Sequence, residues 1–236
     1  MATSWSFSRL GDFEKCRFLF WLKHEQRIPE PERELKPGQT EHANDRGSRI
    51  HEEAETFTRG KGALTPGLLK FEDHFQKLKR LFALGRVELE GEWGMSSGWE
   101  IVPWKGAWLR LKLDAIVHMN KQRAVIIDYK SGKKFGNEVK HGEQINLYAL
   151  VAFMRYPELE EVDAELWYLD TDEITHRRFT RDQALRFRKN FDLRASALLE
   201  CDEWKPSPNT FTCQWCQYGP WNSGHCTVGK KKGFNC

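Results

Sequence analysis

The chain has 236 residues, of which 39% are hydrophobic and 30% charged, an ordinary balance for a soluble globular protein of one large domain or one domain with a small appendage. Its net charge of +3 and pI near 8.5 permit an anionic partner without requiring one. A mean hydropathy of -0.69, with no apolar run approaching the ~18 residues of a membrane span, excludes a transmembrane helix. MATSWSFSRL has no basic region followed by an apolar stretch, so no secretory signal is expected. The six cysteines are then expected in a reducing compartment, where clustered cysteines ligate metals more often than they form disulfides.

In chain order, Ser6 or Ser8 can cap a first helix running to about Lys23, with Phe13, Cys16 and Phe20 on one face. A proline-rich loop over Arg27–Gly38 leads to a second helix over Glu41–Thr58, which puts Gly47, His51 and Glu55 at four-residue steps on one face. Apolar residues at 68, 71, 75, 78 and 82 predict an amphipathic helix over Leu68–Leu84. Strands are predicted at Arg86–Trp93, Trp99–Trp104, Trp108–Val117 and Ala124–Lys130. A helix over Glu138–Arg155 follows, carrying Gln144 and Tyr148 one turn apart. Then come a hairpin of Val162–Asp170 with Glu173–Phe179, a basic helix over Arg181–Cys201, and a tail rich in Cys, Gly and Pro. This order predicts an α/β protein with a mixed central sheet flanked by helices.

The segment LKLDAIVHMNKQRAVIIDYK carries the chemistry. It reads as two strands around a turn centred near Lys121, which sets Asp114 and Asp128 about directly across from each other. Cross-strand neighbours lie only ~5 Å apart, and like charges there are destabilising. Two such carboxylates need a proton or a cation between them. Strand alternation puts Lys130 on the face of Asp128 and Tyr129 on the opposite one. Two carboxylates beside a lysine suit chemistry on an anion; the plainer alternative is a solvated sheet face of mixed charge.

Six motifs in order resemble the PD-(D/E)XK nuclease superfamily, specifically its RecB-like branch of recombination, CRISPR-associated and phage exonucleases. SFSRLGDFEKC resembles the branch's opening helix and places Cys16; GSRIH resembles its Gly-x-x-x-His motif and places His51. LKLDAIV gives Asp114, VIIDYKSG gives Asp128 and Lys130, QINLYAL gives Gln144 and Tyr148, and FTCQWC with Cys226 resembles the C-terminal cysteine cluster. The resemblance implies a single domain over residues 1–236 with a restriction-endonuclease-like fold. Within it, residues 1–60 would form the N-terminal helices, 86–180 the nuclease core, and 205–236 a cysteine-rich tail. The expected activity is metal-dependent DNA exonuclease, on single strands or ends, in phage or bacterial recombination, repair or processing. A DNA-end-binding subunit of a helicase, integrase or annealing complex, with weak or no cleavage, is the alternative. A zinc-ribbon interaction protein is a third reading. The cytoplasm of a bacterium or of a phage-infected host is the implied compartment, and a helicase, recombinase or annealing protein a possible partner.

Phosphodiester hydrolysis loads charge onto phosphate oxygens, which a divalent cation neutralises while it acidifies a bound water. Mg²⁺ or Mn²⁺ takes hard oxygen ligands, which Asp114, Asp128 and the Tyr129 carbonyl can supply. His51 is a further ligand on the family resemblance, and its imidazole would favour Mn²⁺. Lys130 would orient or deprotonate the attacking water. Gln144 and Tyr148 would contact DNA or order the lysine, or else form a hydrogen-bonded pair supporting their helix. Lys133, Lys134, Arg177 and Arg178 are candidate phosphate contacts, with Arg181, Arg186 and Arg188 beyond them.

Cys213-x₂-Cys216 is a tight ligand pair, and Cys226 follows within a Gly/Pro loop. Four thiolates complete either a 4Fe–4S cluster or a tetrahedral Zn²⁺ site. The resemblance supplies Cys16 as the distant fourth ligand, joining the chain's N- and C-terminal segments, and favours iron–sulfur. The gap from Cys216 to Cys226 is longer than the branch's usual one, and His225 beside Cys226 makes a Cys₃His zinc site the main rival. Cys236 could substitute as a ligand, and Cys201 reads as a core residue.

Overall fold

The computed structural model describes residues 3–32, 35, 38–132 and 134–230. They fall into two compact units, Leu35–Asn190 and the pair of segments Met1–Glu34 with Phe191–Cys236.

The Leu35–Asn190 unit is built on one six-stranded mixed sheet. Its strands are β1 (Val87–Met95), β2 (Ile101–Val102), β3 (Leu109–His118), β4 (Arg123–Lys130), β5 (Glu161–Tyr168) and β6 (Glu173–Thr180), in the order β2-β1-β3-β4-β5-β6. Only β4 and β5 pair in parallel. A parallel pair needs a crossover, supplied by the helix Glu138–Arg155, bounded as the sequence predicts. That helix is buried at Ile145 and throughout Leu147–Phe153, the pattern of an interior helix rather than a surface one. Two further helices, Ala43–Thr58 and Glu72–Ala83, cover the other side of the sheet. Their Ile50, Ala54, Phe57, Phe75 and Leu78 share one core with Leu89, Ala115, Val117, Ile127, Tyr129 and Trp167.

The other unit differs most from sequence expectation. In place of one helix to Lys23 there are α1 (Phe7–Lys15), α2 (Arg17–Phe20) and a π-helical turn at Trp21–Glu25. Ser6 caps α1 by accepting from the Arg9 amide, but Cys16 is extended, with φ -168° and ψ 118°. Continuing the chain-order labels, the helices above are α3 (Ala43–Thr58), α4 (Glu72–Ala83) and α5 (Glu138–Arg155). The predicted basic helix over Arg181–Cys201 is two helices, α6 (Arg181–Leu185) and α7 (Arg188–Leu199), and a short α8 (Thr210–Cys213) follows. Aromatic rings hold the terminal segments together. Trp204 stacks on Phe20 and meets Phe13 edge-on, Trp5 stacks on Phe191, and the Tyr218 hydroxyl donates to the Ile28 carbonyl at 2.7 Å.

Candidate active site

β3 and β4 form a fork. Their register runs from His118–Ala124 to Ala115–Ile127, so one further step sets Asp114 across from Asp128. The ladder stops before that step, and the Tyr129 amide donates instead to Asp114 Oδ2 at 2.6 Å. The opposition expected from the sequence is therefore present as position, while the backbone pairing has opened around the carboxylates.

Three elements close on this fork. From α3, His51 Nδ1 lies 2.9 Å from Asp114 Oδ1. Gly47, one turn earlier, brings that helix close: a Cβ there would lie 3.3 Å from Ser131 Oγ. Arg46 fixes the segment after Lys130, donating to the Ser131 carbonyl at 2.6 Å and to both oxygens of Asp170 at 2.6 and 3.1 Å. From β1 comes Glu90, which sequence reasoning missed because Glu88, Glu90 and Glu92 alternate as an ordinary polar face. Glu90 has φ +53° and drops out of the ladder between the Leu89–Ala115 and Gly91–Leu113 pairs. Non-glycine residues rarely adopt that conformation, and it costs of order 1 kcal/mol or more. Ligand atoms of His51, Glu90 and Asp114 all lie within 4.8 Å of one another, and Glu90 also pairs with Lys112 at 2.6 Å.

From α5, Gln144 joins the remaining groups. Its Oε1 accepts from Lys130 Nζ at 2.8 Å, and its Nε2 donates to Tyr148 Oη at 2.6 Å and to Asp128 Oδ1 at 3.3 Å. Tyr148 donates on to the Lys112 carbonyl at 3.2 Å. Asp128 is buried, and its Oδ2 faces the Lys130 ammonium at 2.6 Å with no other hydrogen-bond partner. Burial raises the Asp128 pKa, opposed by the Lys130 charge and reinforced by Asp114. Burial acts to lower the His51 pKa, but the Asp114 hydrogen bond and the charges of Asp114, Asp128 and Glu90 outweigh it, and the net shift is upward. The Tyr129 ring lies on the opposite face, as strand alternation predicts, packed against Phe75 and Trp167.

His51, Asp114, Asp128, Tyr129, Lys130, Gln144 and Tyr148 line an open pocket of about 430 Å³ together with Ser131, Gly132, Asn137 and His141. His141 is a second residue the sequence reading passed over. Its Nδ1 lies 2.9 Å from the Tyr168 hydroxyl. Burial, then the charge of Lys130, push its pKa down to about 4.

The candidate phosphate contacts are dispersed. Lys134 pairs with Glu173 at 3.3 Å, and Arg178 is engaged by Asp163 at 2.7 Å. Arg177 donates to Asn146 at 2.9 Å and stacks over Phe179. Arg181 is spent on the carbonyls of Phe153, Tyr156, Pro157 and Leu159, a structural use of the guanidinium. Lys133 and Cys236 lie outside the described residues.

In the terminal unit, Cys16, Cys213, Cys216 and Cys226 line one largely apolar pocket with Leu19, Leu22 and Tyr218. Each sulfur accepts a backbone amide: Cys16 from Ser207 and Cys213 from Asn209, both at 3.4 Å, Cys216 from Tyr218 and Cys226 from Val228. Burial raises the thiol pKa of Cys216 and of Cys226, and those amides oppose the rise. His225 is not among the residues lining this pocket; its Nδ1 lies 2.7 Å from Ser223 Oγ. Cys201 is buried, in keeping with a core residue.

No curated protein matches the chain. The solved structure of SSO0001 aligns with a TM-score of 0.51 at 12% identity, over 98% of this chain and 89% of that one, a likeness of fold. An alkaline exonuclease from Laribacter hongkongensis (LHK-Exo) aligns with a TM-score of 0.35 at 13% identity, over 84% of this chain and 87% of that one. The model of the PD-(D/E)XK nuclease superfamily matches residues 4–221, nearly the full length, and the chain belongs to that superfamily.

Proposed function

We propose that the protein is a metal-dependent DNA exonuclease of the RecB-like branch, acting on single strands or ends in phage or bacterial DNA recombination, repair or processing. The observation that carries this reading is the convergence of His51, Glu90 and Asp114 within 4.8 Å of one another, with His51 and Asp114 lining one pocket with the Asp128–Lys130 pair. The donor set, chiefly hard carboxylate oxygens with one imidazole, fits Mg²⁺ or Mn²⁺. His51, Glu90, Asp114, Asp128 and the Tyr129 carbonyl would hold the ion. When bound, it supplies charge neutralisation at the phosphate and a more acidic water. Lys130, held by Gln144 and Asp128, orients the attacking water and offsets charge on the phosphate. Gln144 and Tyr148 act as positioning residues through that lysine.

We read Cys16, Cys213, Cys216 and Cys226 as ligands of a 4Fe–4S cluster. The support is their shared apolar pocket and the amide donated to each sulfur, since hydrogen bonds to the charged form favour thiolates and tune such clusters. Lys134, Arg177 and Arg178 remain proposed phosphate contacts.

A cleavage time course on end-labelled single- and double-stranded DNA, comparing Mn²⁺, Mg²⁺ and EDTA, tests the activity. Mononucleotides or short products released from ends, only with metal, are expected. Binding to ends without cleavage would establish the end-binding subunit instead, and cutting of closed circular DNA would make it an endonuclease. Iron and sulfide quantification after anaerobic preparation tests the cluster; stoichiometric zinc without iron would replace it with a zinc site.

A further inference from the structure

We infer that His141 is a substrate-contacting residue, its Nε2–H donating to a phosphate oxygen beside Lys130, and that Tyr168 is the positioning residue that sets its tautomer. The inference rests on the nuclease reading and deepens it, since none of the six sequence motifs quoted above includes either residue.

Three observations carry it. First, α5 places His141, Gln144 and Tyr148 at i, i+3 and i+7, and all three line the pocket that holds Asp114, Asp128 and Lys130. Second, one ring nitrogen is already engaged: Nδ1 lies 2.9 Å from the hydroxyl of Tyr168, which pairs across the sheet with Lys130. Burial raises the Tyr168 pKa, so it remains a hydroxyl that can donate to Nδ1, and a neutral imidazole then carries its proton on Nε2. Third, the surroundings keep the ring neutral. It is half-buried, and Lys130 and Lys140 oppose a positive charge more than Asp128 and Glu138 favour one. A pocket that already holds an ammonium and the site of a cation gains from a neutral donor, which fixes a non-bridging oxygen without repelling either. No bond is made or broken in this step; the proton stays on Nε2.

Isosteric rescue separates this role from a structural one, because a glutamine amide reaches the place of Nε2 and an asparagine amide that of Nδ1. His141→Ala, His141→Gln, His141→Asn and Tyr168→Phe are compared by kcat and KM on a single-stranded oligonucleotide with Mn²⁺. The same variants are compared by fluorescence anisotropy for binding of that oligonucleotide in EDTA. Loss of one hydrogen bond to a charged oxygen predicts about tenfold weaker binding and lower kcat/KM for His141→Ala. His141→Gln recovers most of that loss and His141→Asn little, with Tyr168→Phe in between. Long-range ¹H–¹⁵N spectra are expected to show the neutral Nε2–H tautomer at neutral pH. Recovery by Asn but not Gln, or wild-type binding and kinetics in His141→Ala, would overturn the assignment. A wild-type protein that binds but never cleaves would sink the nuclease reading alone, and the anisotropy series would still decide His141.

Discussion

Asp128 and Glu90 occupy the site at a cost to the fold. Asp128 is a buried carboxylate beside a second one, and burial with that neighbour outweighs the opposing Lys130 charge and disfavours its ionised form when no divalent ion is bound. Asp128→Asn is therefore expected to abolish cleavage, by at least about 10³-fold, while melting no lower than wild type in EDTA. Single-turnover rates and thermal melts on one preparation check both halves. Undiminished cleavage by the folded variant would remove the site. Glu90 adds backbone strain at φ +53°, which glycine relieves. In Glu90→Gly, Mn²⁺ affinity should fall at least about tenfold with stability unchanged or improved, read by metal titration and urea midpoints. A loss of stability with metal affinity intact would make Glu90 a structural residue. Lys130→Met should leave metal affinity near wild type and lower the chemical step by about 10²-fold or more, because a protonated lysine is no ligand.

At the scale of elements, the break between α1 and α2 has no glycine or proline to cause it. Cys16 is extended there, and its sulfur takes the Ser207 amide, a contact 191 residues away in sequence. If Cys16 is the proposed ligand, its removal reopens nearly the whole chain as a loop and forfeits metal-binding free energy that adds to folding. Cys16→Ser should bleach the protein and lower its melting temperature by more than the few degrees of a typical ~1 kcal/mol substitution. An unchanged melt and metal content would exclude Cys16 from the cluster. Asp12 on α1 gives a pH dependence. Burial works to raise its pKa, but the hydrogen bond from His24 and the charges of Lys23 and Lys15 outweigh that, leaving it below its ordinary 3.8. A depressed carboxylate stabilises the fold above its unfolded pKa, and the contribution vanishes as pH falls through the folded value. Asp12→Asn should thus be less stable than wild type at pH 7, with the gap closing below about pH 4, as denaturant midpoints across pH would show. A gap that persists at pH 2 would assign the loss to packing instead.

At the scale of the molecule, the two compact units carry separate chemistry. Every group of the proposed catalytic site lies within Leu35–Asn190, and every proposed cluster ligand within the terminal segments. No helix among the described residues is long and apolar enough to cross a membrane. Hydrogen exchange distinguishes the units. In Cys213→Ser the amides of α1, α2 and α8 are expected to lose protection while the central strands β3, β4 and β5 keep theirs. Equal loss across the sheet would mean that the cysteine-bearing segments and the sheet unfold as one.

The sequence by itself determined the strands, because period-two alternation and the turn near Lys121 bring Asp114 opposite Asp128 through local geometry alone. It likewise determined α5 from Glu138 to Arg155, and the placing of His51 one turn after a small residue. What it could not supply depends on contacts between distant segments. The fork between β3 and β4 opens because the Tyr129 amide finds a carboxylate instead of a carbonyl. Glu90 enters the site through a left-handed backbone at a non-glycine position, and Gly91 beside it marks a break in the strand without saying which side chain turns inward. His141 matters only because Tyr168, 27 residues on, meets its ring across a β-α-β crossover. Propensity and spacing act along the chain over a few residues, whereas a side chain's ligand, partner or protonation state is set by whatever folding brings against it.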